Sequence, residues 1–257
     1  MKPDFETLPV HLPEHQRPQD AEYYRQLNDY YASSAGTHVD KLRAFPKFVP
    51  VAELGRFLAR SRIFERVLTV PGSVVECGVF SGGGLMTWAA LSAILEPLNH
   101  VRRVIGFDTF DGFVGTGPRD AAPAVNAHAV AGALSTDAAD DITRSAAIFD
   151  GYRPLGHIPK VELVKGDALQ TIPDYLDRNP HLVVSLLYLD FDLYEPTRCA
   201  LERFVPRMPK GAVIAFDQLN HRAWPGETAA LIDTLGIRAL KLERLPYQPQ
   251  IAFACLD

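Results

Sequence analysis

The chain has 257 residues, 47% of them hydrophobic and 22% charged, which is typical of a soluble globular protein. Its 26 basic and 31 acidic residues give a net charge of −5, so no basic surface for nucleic acid or an anionic membrane is expected. Three scattered cysteines, Cys77, Cys199 and Cys255, exclude a disulfide framework and a CxxC metal site. Because no signal-like segment and no apolar run of transmembrane length is visible, we expect a cytoplasmic protein.

The first 69 residues precede every strand-like segment. Residues 1–19 carry four prolines and little periodic pattern, which indicates an arm. The stretches 21–36 and 50–70 place apolar residues at helical spacing, and "VPGS" at 70–73 then turns the chain. We expect an N-terminal arm and helical extension over 1–69, a main domain over 70–257 within one structural unit, and a homo-oligomer with contacts through the extension.

From residue 70 onward, short apolar strands alternate with helical segments. Five runs are nearly continuously apolar, as expected of parallel strands covered on both faces: "SVVECGVF", "RRVIGFD", "KVELVKGD", "HLVVSLLYLD" and "GAVIAFD". Two further candidates, "RALKLERLP" and "QIAFACLD", flank a proline-containing turn. The pattern predicts an α/β fold with a mostly parallel seven-stranded sheet and a C-terminal antiparallel hairpin.

A segment rich in Gly, Ala and Pro, residues 111–141, separates the second and third strands. It is too long to be a simple connection. Two interpretations stay open: a disordered insertion, or a lid over a site. The second is favoured, because function is a common reason for a loop of this length.

Four strand candidates end in an acidic residue. They are Asp108, Asp167, Asp190 and Asp217. Each alone could be a helix cap or a turn residue, but the carboxyl ends of parallel strands form the ligand crevice of an open sheet. We therefore expect these acids, with Glu76 of the first strand, to line one cleft. Burying Asp190 together with Asp192 requires a cation, a metal or hydrogen-bond donors nearby.

The turn "ECGVFSGGG" after the first strand lacks the G-x-G-x-x-G dinucleotide fingerprint. A ligand can still approach its backbone closely, and Glu76 beside it would repel a phosphate but attract an ammonium or a sulfonium. A glycine-rich turn beside a carboxylate favours S-adenosylmethionine over NAD as the ligand. Asp108 would then accept hydrogen bonds from the ribose. The predicted cofactor residues are Glu76, Gly78, Phe80, Ser81, Gly82, Asp108, Asp167 and Asp190.

Four stretches together resemble the macrocin O-methyltransferase family: "VPGSVVECGVFSGGG", "GFDTFDGF", "LYLDFDLYEPT" and "AFDQLNHRAWPG". The likeness runs from roughly Lys41 to the C-terminus, and within the family the chain resembles the dTDP-6-deoxy-L-hexose 3-O-methyltransferases. The resemblance implies a class I, Rossmann-like methyltransferase fold and S-adenosylmethionine as methyl donor. It also implies a small-molecule acceptor, a deoxysugar hydroxyl in antibiotic biosynthesis, either nucleotide-linked or attached to a natural product. No nucleic-acid or membrane partner is expected.

The resemblance further implies a divalent cation, generally Mg²⁺. Carried over, its ligands are Asp190, Asp217 and Gln218, and Asp192 takes the position of the general base. The family usually has two acids after the fifth strand, and the amide oxygen of Gln218 should hold a hard cation less tightly. On a straight strand Asp190 and Asp192 would point to the same face. His221 is a second candidate base, against the alternative of a solvated loop histidine.

Other functions stay open at this point. Gln218 could mark a lost metal site in a cofactor-binding protein without transferase activity, and the acceptor of an active transferase could be a non-sugar hydroxyl. A metal-dependent hydrolase built on Asp190 and Asp217 leaves the glycine turn unexplained. Trp224 could either wall the acceptor site or simply pack.

Overall fold

The computed structural model describes residues 17–122 and 124–257, so most of the predicted proline-containing arm lies outside the described residues. The chain divides into two compact units, Met1–Arg56 and Phe57–Asp257. The first contains α1 (Pro18–Ser33), α2 (His38–Arg43) and the start of α3 (Val51–Glu65). A capping box opens α2, because Thr37 and Asp40 each accept the other's backbone N–H. The domain boundary after residue 69 stays a prediction.

The second unit is built around one sheet. Its strands are β1 (Ser73–Cys77), β2 (Val104–Asp108), β3 (Val161–Lys165), β4 (Val184–Leu189), β5 (Val213–Phe216), β6 (Glu243–Leu245) and β7 (Gln248–Cys255). In the described part of the chain they form a seven-stranded sheet in the order β3-β2-β1-β4-β5-β7-β6. The first five strands run parallel, and β7 pairs antiparallel with β5 and β6. The predicted fold class is confirmed.

Helices cover both faces of this sheet. These helices are α3, α4 (Gly83–Leu95), α5 (Ala138–Asp150), α6 (Ala168–Arg178), α7 (Tyr194–Phe204) and α8 (Gly226–Thr234). Because successive strand residues point to opposite faces, Val74 packs with α3 and α4, whereas Val75 packs with α6 and α7. Among the described residues, no helix combines the length and apolar character needed to cross a membrane.

The strand order reverses at β1, which lies between β2 and β4. In an open α/β sheet, ligands bind outside the carboxyl ends of the strands at such a point. Hydrogen bonds hold the loops together there: Asp190 N donates to Cys77 O at 2.7 Å, and Asp217 N donates to Leu189 O at 2.9 Å. The ends of β1, β4 and β5 thus form one edge that carries the candidate site.

Candidate active site

The turn after β1 requires glycine at two positions. Gly78 has φ of 93° and Gly82 has φ of 82°, in the left-handed region that favours glycine. A Cβ at Gly78 would lie 2.0 Å from the carbonyl oxygen of Asp190. The predicted cofactor residues Gly78, Phe80, Ser81 and Gly82 therefore share one tight turn, which lies against the loop after β4 and leads into α4.

Asp108, at the end of β2, holds this turn in place. Its Oδ2 accepts backbone N–H groups from Val79 at 2.7 Å and Phe80 at 2.8 Å. Its Oδ1 accepts the N–H of Phe110 at 2.7 Å. The carboxylate therefore joins the loops after β1 and β2, a role that the sequence did not indicate, and its contact with a ribose stays a prediction.

Glu76 lies beneath α4 rather than at the surface of the cleft. Its exposed fraction is 1%, and a Cβ on Gly84 would lie 2.0 Å from its Oε1. Burial raises the pKa of Glu76 to about 8; Arg60 counteracts this shift, and Asp217 and Asp108 add to it. A direct contact between Glu76 and the cofactor stays a prediction.

Asp167 follows β3 and is the N-cap of α6. Its carboxylate accepts the N–H of Leu169 at 3.0 Å, as a capping side chain does. The helix-cap alternative is therefore realised for this acid, and its contact with the cofactor stays a prediction.

Asp190 and Asp192 lie in the loop after β4, since the strand ends at Leu189. Asp192 is 7% exposed and has φ of 63°. The expectation of two aspartates on a straight strand is therefore wrong, but the loop still brings their carboxylates together. One carboxylate oxygen each from Asp190, Asp192 and Glu227 lies within 4.8 Å of the others, a spacing that a metal ion could bridge.

Glu227 is a residue of this site that the sequence analysis missed. It lies in the first turn of α8, is fully buried, and accepts the N–H of Gln218 at 3.2 Å and that of Asp192 at 3.4 Å. Burial raises its pKa well above the usual range, and the charges of Asp192 and Asp217 add to the shift. An acid in the first turn of a helix is ordinary, so only its position after "WPG" could have drawn attention to it.

Asp217 and Gln218 follow β5 directly. Asp217 is 1% exposed and accepts a hydrogen bond from the hydroxyl of Tyr188. The side-chain oxygen Oε1 of Gln218 is buried and accepts no hydrogen bond from the described residues. Carboxylate and amide oxygens are ligands that Mg²⁺ takes in proteins, so these residues fit such an ion. Of the predicted metal ligands, Asp190 is the one found in the close group with Asp192 and Glu227.

The loop from β5 to α8 carries His221 and Trp224. Trp224 is 4% exposed and meets the ring of Phe113 edge to face, with ring centroids 5.6 Å apart. Asn126 donates to the carbonyl of Ala223 at 3.1 Å. Trp224 therefore packs against the segment between β2 and α5. His221 is partly buried and lines a groove of about 380 Å³ together with Arg119, Arg222 and Asp233.

The segment predicted as a lid contains no helix or strand in residues 109–122 and 124–137. It is nevertheless attached to the elements around the site. Asp120 accepts the N–H of Tyr194 at 2.7 Å, and Arg119 pairs with Asp233 at 2.8 Å. These contacts favour a lid over a disordered insertion, and opening and closing of this segment stay a prediction.

Comparisons with known proteins agree with this geometry. The sequence model of the macrocin-O-methyltransferase (TylF) family matches residues 56–233. A comparison with curated protein sequences gave no match. The structure resembles that of CalS11, a calicheamicin methyltransferase, with a TM-score of 0.88 and 33% identity over 94% of each chain.

Two further structures are similar. The apo form of CalS11, described as a TDP-rhamnose 3'-O-methyltransferase of calicheamicin biosynthesis, gives a TM-score of 0.80 at 32% identity over 94% of this chain and 96% of that one. The O-methyltransferase NovP gives 0.61 at 19% identity over 79% of this chain and 80% of that one, which shows a shared fold. The resemblance inferred from the motifs is confirmed: the chain belongs to the macrocin O-methyltransferase family and is an S-adenosylmethionine-dependent O-methyltransferase.

Proposed function

We propose that this enzyme methylates a deoxysugar hydroxyl with S-adenosylmethionine as donor and Mg²⁺ as assisting ion. One observation carries the proposal: the glycine turn after β1 lies directly against the acidic loop after β4, since a Cβ at Gly78 would meet the Asp190 carbonyl at 2.0 Å. A methyl donor on the turn and an acceptor hydroxyl at the acids would therefore be neighbours. The described activity of CalS11 supports a sugar acceptor, nucleotide-linked and used in antibiotic biosynthesis.

Methyl transfer forms a C–O bond to the acceptor and breaks the C–S bond of the sulfonium. Holding both reactants in line can lower the barrier by roughly 7 to 11 kcal/mol. In this proposal the turn at Gly78, Phe80, Ser81 and Gly82 positions the donor. Asp192 takes the proton of the acceptor hydroxyl, and His221, on the lining of the adjacent groove, contacts the acceptor or acts as a second base.

An aspartate is a weak base, with a reference pKa of about 3.9. When bound, Mg²⁺ would lower the pKa of the acceptor hydroxyl. The residues proposed to hold it are Asp190, Asp217 and Gln218. The acidic loop would orient the acceptor, and the buried Trp224, packed edge to face against Phe113, would limit the access of water from the side of the lid segment.

Calorimetric titrations test this function. S-adenosylmethionine is titrated into the protein, then a dTDP-6-deoxyhexose is titrated in the presence of S-adenosylhomocysteine, each with Mg²⁺ and with EDTA. We expect the cofactor to bind in both conditions and the sugar to bind only with Mg²⁺, because Asp190, Asp217 and Gln218 would hold the ion on which the acceptor depends. Equal sugar binding in EDTA would contradict the role of the metal, and no sugar binding in either condition would point to a different acceptor.

We also infer a homo-oligomer that assembles through the first unit. Helices α1 and α2 expose large apolar side chains, among them Tyr23 at 46% and Leu42 at 65%. Larger exposed apolar patches are typical of interaction surfaces, and these side chains are the candidates for one. Light scattering on the eluted protein should give a mass that is a multiple of 28.4 kDa, and a mass of 28.4 kDa at micromolar concentration would contradict the inference.

A further inference from the structure

We propose that Glu227 supplies the negative charge that this chain lacks at Gln218 and joins Asp190, Asp217 and Gln218 as a ligand of the divalent cation, with Asp192 beside them as the base. The inference rests on the proposed function, because it concerns the ion that assists methyl transfer. It assigns a ligand that the motifs of the family do not indicate, on a helix that the sequence analysis did not connect with the site.

The Glu227 carboxylate lies next to the position at which the family has a second acid. The motif implies an acid at residue 218, where this chain has a neutral amide. The backbone N–H of Gln218 donates to Oε2 of Glu227 at 3.2 Å. The Glu227 carboxylate therefore lies beside the backbone of the residue at which the charge is missing.

The Glu227 carboxylate is enclosed by the protein. Glu227 is fully buried, and its hydrogen-bond partners are two backbone N–H groups. Within the described part of the chain it forms no ion pair with Lys, Arg or His. One of its oxygens lies within 4.8 Å of oxygens from Asp190 and Asp192. Because a fully buried carboxylate is costly unless a cation compensates its charge, the position of Glu227 favours a bound cation.

Close backbone contacts fix Glu227 in this position. A Cβ at Gly226 would lie 2.5 Å from Tyr194 N and 2.6 Å from Asp192 O, so the start of α8 touches the backbone of the Asp192 loop. The Asp192 N–H donates to Oε1 of Glu227 at 3.4 Å. Each oxygen of Glu227 thus contacts the backbone of one of the two loops in the site.

The donor chemistry agrees with this assignment. Besides the three carboxylates, the buried Oε1 of Gln218 accepts no hydrogen bond from the residues that the structure describes, so it is an oxygen left without a donor. A site composed of carboxylate and amide oxygens suits a hard cation such as Mg²⁺ or Mn²⁺ rather than a soft one.

The test uses Mn²⁺ alone as the probe, with free Mn²⁺ followed by electron paramagnetic resonance during titration of the full chain. Four proteins are compared: wild type, Glu227→Gln, Gln218→Asp, and the double variant. We expect Glu227→Gln to weaken Mn²⁺ binding by about 10- to 100-fold, the range for changes around metal sites. The double variant returns the charge to residue 218 and should bind within a few-fold of wild type.

A matched control is Glu162→Gln on β3, which removes one charge from a carboxylate paired with Arg103 and Tyr175. It should bind Mn²⁺ like wild type. If Glu227→Gln binds Mn²⁺ as tightly as wild type, this inference is overturned while the proposed metal dependence stands. If wild type binds no Mn²⁺, both this inference and the proposed metal dependence are overturned. Methyl transfer measured in EDTA then shows whether the enzyme is a transferase that needs no metal. Should Glu227→Gln not fold, the double variant decides: wild-type affinity supports the inference, and weak binding overturns it.

Discussion

Replacing Asp192 by asparagine is expected to abolish methyl transfer and to leave the affinity for S-adenosylmethionine nearly unchanged. The carboxamide has the same shape but cannot take the proton of the acceptor hydroxyl. General-base catalysis contributes about 10²- to 10⁴-fold to a rate, so kcat should fall by that factor. The measurement is the initial rate with saturating acceptor, together with calorimetric titration of the cofactor.

The backbone of Asp192 makes this variant informative. Asp192 has φ of 63°, a conformation that asparagine also tolerates, so folding should be preserved. Asp177 is exposed on α6 and belongs to none of the loops that carry the proposed site. Asp177→Asn removes the same charge and should keep full activity. A fully active Asp192→Asn enzyme would show that another group, with His221 the first candidate, accepts the proton.

Replacing Gly78 by alanine is expected to give the largest loss of stability among the glycines of the turn. At φ of 93° a side chain costs roughly 1 to 2 kcal/mol in the left-handed region. The new Cβ would also lie 2.0 Å from the Asp190 carbonyl, and relieving such a clash costs typically about 1 to 3 kcal/mol. Urea unfolding should therefore show a loss of about 2 to 5 kcal/mol in the free energy of unfolding.

The same variant should lose affinity for the cofactor, because the clash pushes the turn away from the loop after β4. Gly83→Ala provides the matched control five residues further on, since a Cβ there meets nothing within 4 Å. At this first position of α4 alanine should be neutral or should stabilise by up to about 1 kcal/mol. Equal stability of the two variants would contradict this prediction. It would mean that the backbone at Gly78 shifts to relieve the clash with Asp190 at little cost in free energy.

The sheet could be predicted from sequence because its physics is local. Buried parallel strands are short apolar runs. The runs "SVVEC", "VIGFD" and "VIAF" each coincide with one strand of the structure. The acids at strand ends follow from the same pattern, since parallel strands end at one edge. The backbone of Asp217 donates to Leu189, the residue before Asp190, so both acids follow strands that end at the same edge.

Contacts between distant parts of the chain were not predictable in this way. Glu227 reaches Asp192 across 35 positions, and nothing in the pattern around either residue encodes that approach. Asp192 left the expected strand face because β4 ends at Leu189 and the backbone then turns left-handed. Glu76 is covered by α4, because glycine at residue 84 lets the helix come close, and this contact was not visible in the sequence pattern.

In the proposed function the methyl donor binds at the turn after β1, and Asp108 joins this turn to the loop after β2 by accepting three hydrogen bonds. They are part of the fold, so the turn after β1 is ordered by the protein's own groups. Ordering side chains on binding costs about 0.5 to 1.5 kcal/mol for each one immobilised, and here much of that conformational entropy is lost during folding instead. We therefore expect Asp108 to contribute both to thermal stability and to affinity for the methyl donor, so that replacing it should shift both properties in the same direction.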